Sequence, residues 1–155
     1  MFTACSSESE SPEQFVERII PIVQSNNEDA IHKTFVHTKK GIKAMILLFG
    51  QAPPSQELLD KQVNEMYQAE LEDKGHMLNR FRKRGLKDWN GVVVDSISLE
   101  TPKNFSNKEV KRKPGIRTAT INAYLSKDGK QYLVQFRCVD FKTGKWQMIS
   151  YPRFK

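Results

Sequence analysis

Five side chains of this 155-residue chain are equipped for proton transfer: His32, His37, Tyr67, Asp95 and Tyr124. A carboxylate or imidazole base set against a tyrosine donor in a mostly apolar pocket is the apparatus of enzymes that move a proton beside a carbonyl. Tyr67, Asp95 and Tyr124 are the three expected to border one pocket. No spacing links them, and such chemistry depends on geometry before it depends on residue type. The chain has no nucleophile elbow, phosphate-binding loop or paired metal-ligand motif. Its two cysteines, Cys5 and Cys138, lack the partner spacing of a metal site or a disulfide framework. The expectation is a protein with neither metal nor cofactor, suited to binding more than to catalysis.

Anion binding has more residues to draw on. Residues 1–73 hold 6 Lys and Arg against 12 Asp and Glu, a balance of −6, whereas residues 74–155 hold 19 against 6, a balance of +13; the net charge is +7. Arg80, Arg82, Lys83 and Arg84 form one candidate anion-binding cluster, and Lys111, Arg112 and Lys113 form another. A nucleic-acid surface would also need stacking aromatics among the charges, and only Phe81, Trp89 and Phe105 are interleaved. The first cluster has a simpler role as well, since cations at a helix C-terminus complement its dipole.

The elements that must hold these residues are legible in the periodicities. The length suits one domain with a real core. Ser11-Pro12-Glu13-Gln14 has the form of a helix start, followed by Phe15, Val16, Ile19, Ile20 and Val23 at helical spacing, with Pro21 expected to kink or loosen the run. A second helix is expected from Glu28 to about Thr38. The stretch 41–49 fits strand or helix equally. The longest helix is expected from Ser55 to Gly85, with Leu58, Leu59, Val63, Met66, Tyr67, Leu71, Leu78 and Phe81 on one face. The longest apolar block, Ala44 to Phe49, is far short of the roughly 18 residues needed to cross a bilayer.

Strands follow. A first runs from Trp89 or Gly91 to Glu100, with Val93, Ile97 and Leu99 on one side and Val92 and Val94 on the other; an irregular basic loop then spans 101–114. Beyond it, Asp128-Gly129 and Thr143-Gly144 predict two successive hairpins. A two-residue turn at Asp128-Gly129 sets Leu125 against Tyr132, Ala123 against Val134, Ile121 against Phe136 and Ala119 against Cys138, an apolar face that a one-residue slip would scramble. The same treatment of Thr143-Gly144 puts Cys138 near Ile149 and Phe136 near Tyr151. It also gathers Val139, Phe141, Trp146 and Met148 on the opposite face, a patch for the Gly41–Phe49 stretch, the N-terminal segment or a partner to cover. The fold class is therefore α+β, with N-terminal helices packed on a curved four-stranded antiparallel sheet.

Two resemblances extend this. Phe2-Thr3-Ala4-Cys5 resembles the cleavage box of bacterial lipoproteins, which implies lipidation of Cys5; the apolar stretch of a signal peptide would then lie upstream of Met1, and Ser6 would permit outer-membrane sorting. The acidic, Ser-rich residues behind it suit a flexible tether, so residues 1–10 are assigned to lipobox and tether and residues 11–155 to a single domain. Over Ser11 to Phe154, the element order and the opening Ser11-Pro12-Glu13-Gln14-Phe15-Val16, with Asn26-Asn27-Glu28-Asp29-Ala30 behind it, resemble the cystatin-like cone of the nuclear-transport-factor-like superfamily. That resemblance implies a cone between helices and sheet, used as a ligand pocket in some members and for acid-base chemistry in a few.

Together these lead to an expected non-enzymatic domain of the cell envelope. A lipid anchor would be its only hold on the membrane, at the outer membrane or periplasmic face, and it would bind a small ligand, an anionic envelope component or a protein partner. Dimerisation through the sheet is an added expectation. The alternatives are a pocket enzyme of the ketosteroid-isomerase-like type and a cytoplasmic basic module binding nucleic acid.

Overall fold

The computed structural model describes residues 9–49, 53–73, 86–100, 116–148 and 152–155. Helix α1 (Pro12–Gln24) starts as its residues dictate. The Ser11 hydroxyl accepts from the Gln14 N–H, the Gln14 side chain accepts from the Ser11 N–H, and Pro12 sits in the first turn. Pro21 does not end the helix: it occupies an exposed position, and the chain continues helically to Gln24. Helix α2 (Glu28–Phe35) is capped by the Asn27 side chain and stops three residues before the expected Thr38. The ambiguous stretch 41–49 is helical, within α3 (Lys39–Phe49), and α4 (Gln56–Glu72) opens on a Ser55 cap. The rest of the helix expected to Gly85 and the loop 101–114 lie outside the described residues.

Five strands, β1 (Val93–Glu100), β2 (Ile116–Lys127), β3 (Lys130–Phe141), β4 (Gln147–Met148) and β5 (Arg153–Phe154), form a curved, open antiparallel sheet in the order β1-β2-β3-β4, with β5 also pairing β3. The fold is α+β, helices packed on that sheet. The central hairpin has the register its alternation demands, from Leu125 opposite Tyr132 to Ala119 opposite Cys138. Asp128 and Gly129 take φ of 51° and 75°, so both central residues are left-handed, as in the turn whose twist matches that of the flanking strands.

Two departures from the simple alternation have local causes. In β1 the register shifts between Val94 and Ser96, with Asp95 as the extra residue of a bulge. Because an extra residue reverses parity, Val94 joins Ile97 against the core while Val93 is exposed, unlike the expected grouping of Val93 with Ile97. At the other end, Thr143-Gly144 is not a two-residue hairpin turn. The Asp140 carboxylate accepts from the N–H groups of Thr143 (2.8 Å) and Gly144 (3.1 Å) and from the Thr143 hydroxyl (3.2 Å), and residues 142–146 make a longer connection. Cys138 consequently pairs with Met148, one residue earlier than the expected Ile149. A one-residue shift exchanges faces. Trp146 and Met148 therefore enter the main core instead of joining Val139 and Phe141 on the opposite side.

That core lies between α1, α2 and one face of the sheet. Phe15 meets Phe136 edge to face at 5.4 Å, surrounded by Val16, Ile19, Ile121, Leu125 and Val134, all 0–1% exposed. Each such side chain contributes about 1.5–3 kcal/mol on burial. Cys138 is buried among them, and burial pushes its thiol well above the ordinary range, so it behaves as a small apolar group. Helices α3 and α4 make a second, smaller core of Ile42, Ile46, Leu59 and Val63, with Met45 and Tyr67 packed against it. Leu58, Met66 and Leu71, expected on the buried face of α4, are 38–47% exposed.

Candidate functional site

Of the residues expected to border a pocket, Asp95 and Tyr124 are neighbours on the exposed face of the β1–β2 pair, and Tyr67 packs with α3 and α4 instead. Asp95, thrown outward by the bulge, is exposed and accepts a hydrogen bond from the Ser126 hydroxyl at 2.9 Å. Tyr124 is 40% exposed and pairs with Leu133 on the sheet face away from the main core. Tyr67 belongs to the α3–α4 core, with the Lys39 ammonium 5.3 Å from its ring centre. The space between α1 and the sheet, where the resemblance implied a cone, is filled by Phe15, Ile19, Ile121 and Phe136. Cys5, Arg80, Arg82, Lys83, Arg84, Lys111, Arg112 and Lys113 lie outside the described residues. Among the described residues, no cluster of His, Cys, Asp or Glu is arranged to hold a metal ion, and no helix is long and apolar enough to cross a membrane.

One acid-base pair does form. The Glu70 carboxylate on α4 reaches back 33 positions to His37, accepting from its backbone N–H at 2.7 Å and lying 2.8 Å from its Nδ1. The other ring nitrogen, Nε2, meets the Met148 carbonyl oxygen. Both ring nitrogens of His37 are thus engaged by oxygens of the protein itself. His32 Nε2 lies 3.0 Å from the Glu70 carbonyl oxygen, adding a third polar tie. The network fastens α4 to the end of α2 and to β4. No local spacing signals it, because its partners are distant in the chain.

A second network involves Glu10, which the sequence places in the tether. Its carboxylate accepts from Arg18 Nε (2.7 Å), Arg18 Nη2 (3.0 Å) and the Trp146 N–H (2.7 Å), and its own N–H donates to the Gly144 carbonyl at 2.7 Å. Arg117 donates to the Glu10 carbonyl at 3.4 Å, stacks over Trp146 at 4.3 Å and pairs with the buried Asp140 at 2.8 Å. The Glu10 side chain is only 10% exposed. The bidentate arginine and the added N–H make this a strong carboxylate site, one that the chain itself fills. Asp140 thus serves two ends, shaping the turn and orienting the arginine beside it.

Beside that turn lies a half-open groove of about 230 Å³ with a mostly apolar wall. Gly41, Ala44 and Leu47 of α3 form one side, and Ile116 and Phe141 at the end of the central hairpin form the other. Leu47 is 40% exposed. Lys40 and Lys142, both exposed and without an ion pair among the described residues, also line it. A cleft of similar size lies between α1, α2 and β4, but its Arg18 and His37 are already engaged in the two networks above. The groove was not anticipated from the sequence. The nearest signal was the expected contact of the Gly41–Phe49 stretch with Phe141; the gap between them depends on how two elements far apart in the chain approach.

No family model, curated protein or solved structure matches this chain.

Proposed function

We propose that this chain is a non-enzymatic binding domain of the cell envelope, tethered by a lipid on Cys5, which takes a slender apolar ligand with an anionic head into the groove between α3 and the β2–β3 hairpin. The observation that carries this is the groove itself: an apolar wall in which the exposed charges are two lysines with no ion pair among the described residues. At about 230 Å³ it falls below the roughly 300–1,000 Å³ usual for compact small-molecule pockets, which favours a chain-like group over a bulky one. The α+β order is compatible with a cystatin-like cone whose interior is packed, so that ligand binding has moved to the outside of the sheet end. The engagement of both His37 ring nitrogens within the protein, away from the groove, favours binding over catalysis.

The test is titration of the purified chain with a fluorescent long-chain carboxylate. Saturable binding that is lost in Leu47→Asp supports the groove; no binding, or binding indifferent to Leu47→Asp, overturns it. The anchor is tested separately by intact mass and membrane fractionation after expression from the full upstream reading frame. A lipid-sized increment that disappears in Cys5→Ser is expected, and an unmodified soluble protein refutes the anchor.

A further inference from the structure

Resting on that reading, we infer that the groove's ligand is an acyl chain of an anionic phospholipid in the very bilayer to which the domain is tethered, and that Glu10 sets the orientation that brings the two together. The inference follows from where the tether stops. A tether that ended in loose chain would let the domain tumble. Here the chain is fastened at Glu10 by three hydrogen bonds to its carboxylate and two to its backbone. The step from Cys5 to Glu10 covers five residues and reaches at most about 18 Å even when fully extended.

Glu10 is bound along residues 144–146, and a side chain at Gly144 would approach the Ser9 Cα at 4.0 Å. Lys142 and Thr143, immediately before this contact, and Gln147, immediately after it, all line the groove. A lipidated Cys5 therefore holds the groove's own turn close to the headgroup layer, and the opposite end of the sheet, at Asp128-Gly129, away from it. The chemistry of the groove agrees with such a neighbour. Ala44, Leu47, Ile116 and Phe141 offer an acyl chain an apolar wall, and Lys40 and Lys142 offer a phosphate two cations with no ion pair among the described residues. Each lysine near an anionic surface adds about a fivefold gain in affinity at moderate salt.

The experiment uses the full chain carrying Cys5→Ser, so that no covalent lipid contributes, with phosphatidylcholine vesicles prepared with and without phosphatidylglycerol. Co-sedimentation with the phosphatidylglycerol vesicles is expected, with salt sensitivity and hydrogen-exchange protection at residues 41–47 and 141–143. Lys40→Gln and Lys142→Gln should each weaken it about fivefold, and Leu47→Asp, at an exposed position, should abolish the protection without unfolding the chain. Equal binding to neutral vesicles, or binding indifferent to all three substitutions, overturns the inference. So does protection of 41–47 that appears in the lipidated protein in neutral detergent and is not increased by phosphatidylglycerol, since the protein's own acyl chain then fills the groove. If the fluorescent carboxylate binds while vesicles do not, the groove stands as a ligand site and only the bilayer source fails. In the lipidated protein, Glu10→Gln should leave the carboxylate affinity unchanged while lowering groove protection on vesicles; protection retained in that variant removes the orienting role.

Discussion

The core under the sheet and the core between α3 and α4 are built to different standards. Among the described residues the first has 19 buried side chains, drawn from α1, α2, β2, β3, β4 and the segment around Trp89, with an edge-to-face aromatic pair in the middle. Among the described residues the second has four, Ile42, Ile46, Leu59 and Val63, and leaves Leu58, Met66 and Leu71 of its longer helix substantially exposed. Its attachment to the rest is largely polar, through Glu70, His37, His32 and the Met148 carbonyl. The difference bears on local stability. Regions with few buried apolar contacts open at a fraction of the global unfolding free energy. The groove lies along the seam between the two regions.

The largest expected effect comes from the stronger region. Phe136→Ala removes one ring of the central aromatic pair and leaves a cavity that close-packed neighbours fill only in part; a loss of about 3–5 kcal/mol is expected, measured as a lower urea midpoint for the whole chain. Against a total of roughly 5–15 kcal/mol, that is severe. A loss below about 1 kcal/mol would mean that the main core is not the main source of stability.

An intermediate effect is expected at the attachment. Glu70→Ala deletes the acceptor for both the His37 N–H and its Nδ1, and hydrogen bonds to charged groups are worth about 1.5–3 kcal/mol in total stability. The distinguishing measurement is hydrogen exchange. Residues 56–72 should lose protection while residues 119–138 keep theirs. Simultaneous loss in both would show one cooperative unit and erase the distinction between the regions.

The same contrast governs how much was legible beforehand. The β2–β3 register follows from strict alternation and one Asp-Gly turn, because pairing by side-chain face is a local rule with a single acceptable solution. Where one side chain or one extra residue intervenes, the rule fails. Asp95 adds a bulge that reverses the parity of β1, and Asp140 binds three donors of the next turn and so moves β4 by one position. The α1 capping box is written in four adjacent residues and was legible. The His37–Glu70 latch and the groove are not local at all: one joins positions 33 apart, and the other is a gap between α3 and the far end of a hairpin. Tyr67, Asp95 and Tyr124 drew attention by residue type, yet type carries no information on which face a bulged strand presents.

The smallest predicted effect bears on the seam itself. Gly41 sits in the first turn of α3, where its N–H donates to the Thr38 hydroxyl at 3.1 Å, and its φ is not one that requires glycine. Alanine is the better helix former by up to about 1 kcal/mol. A methyl group there would meet the Gln147 Oε1 at 2.9 Å, too close to be kept, but that oxygen is the tip of a side chain that can rotate away. Gly41→Ala should therefore raise the stability of the α3–α4 region slightly, by less than about 1 kcal/mol, seen as slower exchange over residues 42–46. Because Gly41 and Gln147 both line the groove, the same change should weaken binding of the fluorescent carboxylate. A gain in protection coupled to a loss of binding would identify the glycine as kept for the opening it leaves, since function commonly retains a less stable residue. A gain with binding intact would place the ligand farther along α3, toward Leu47, and leave the first turn a packing matter alone.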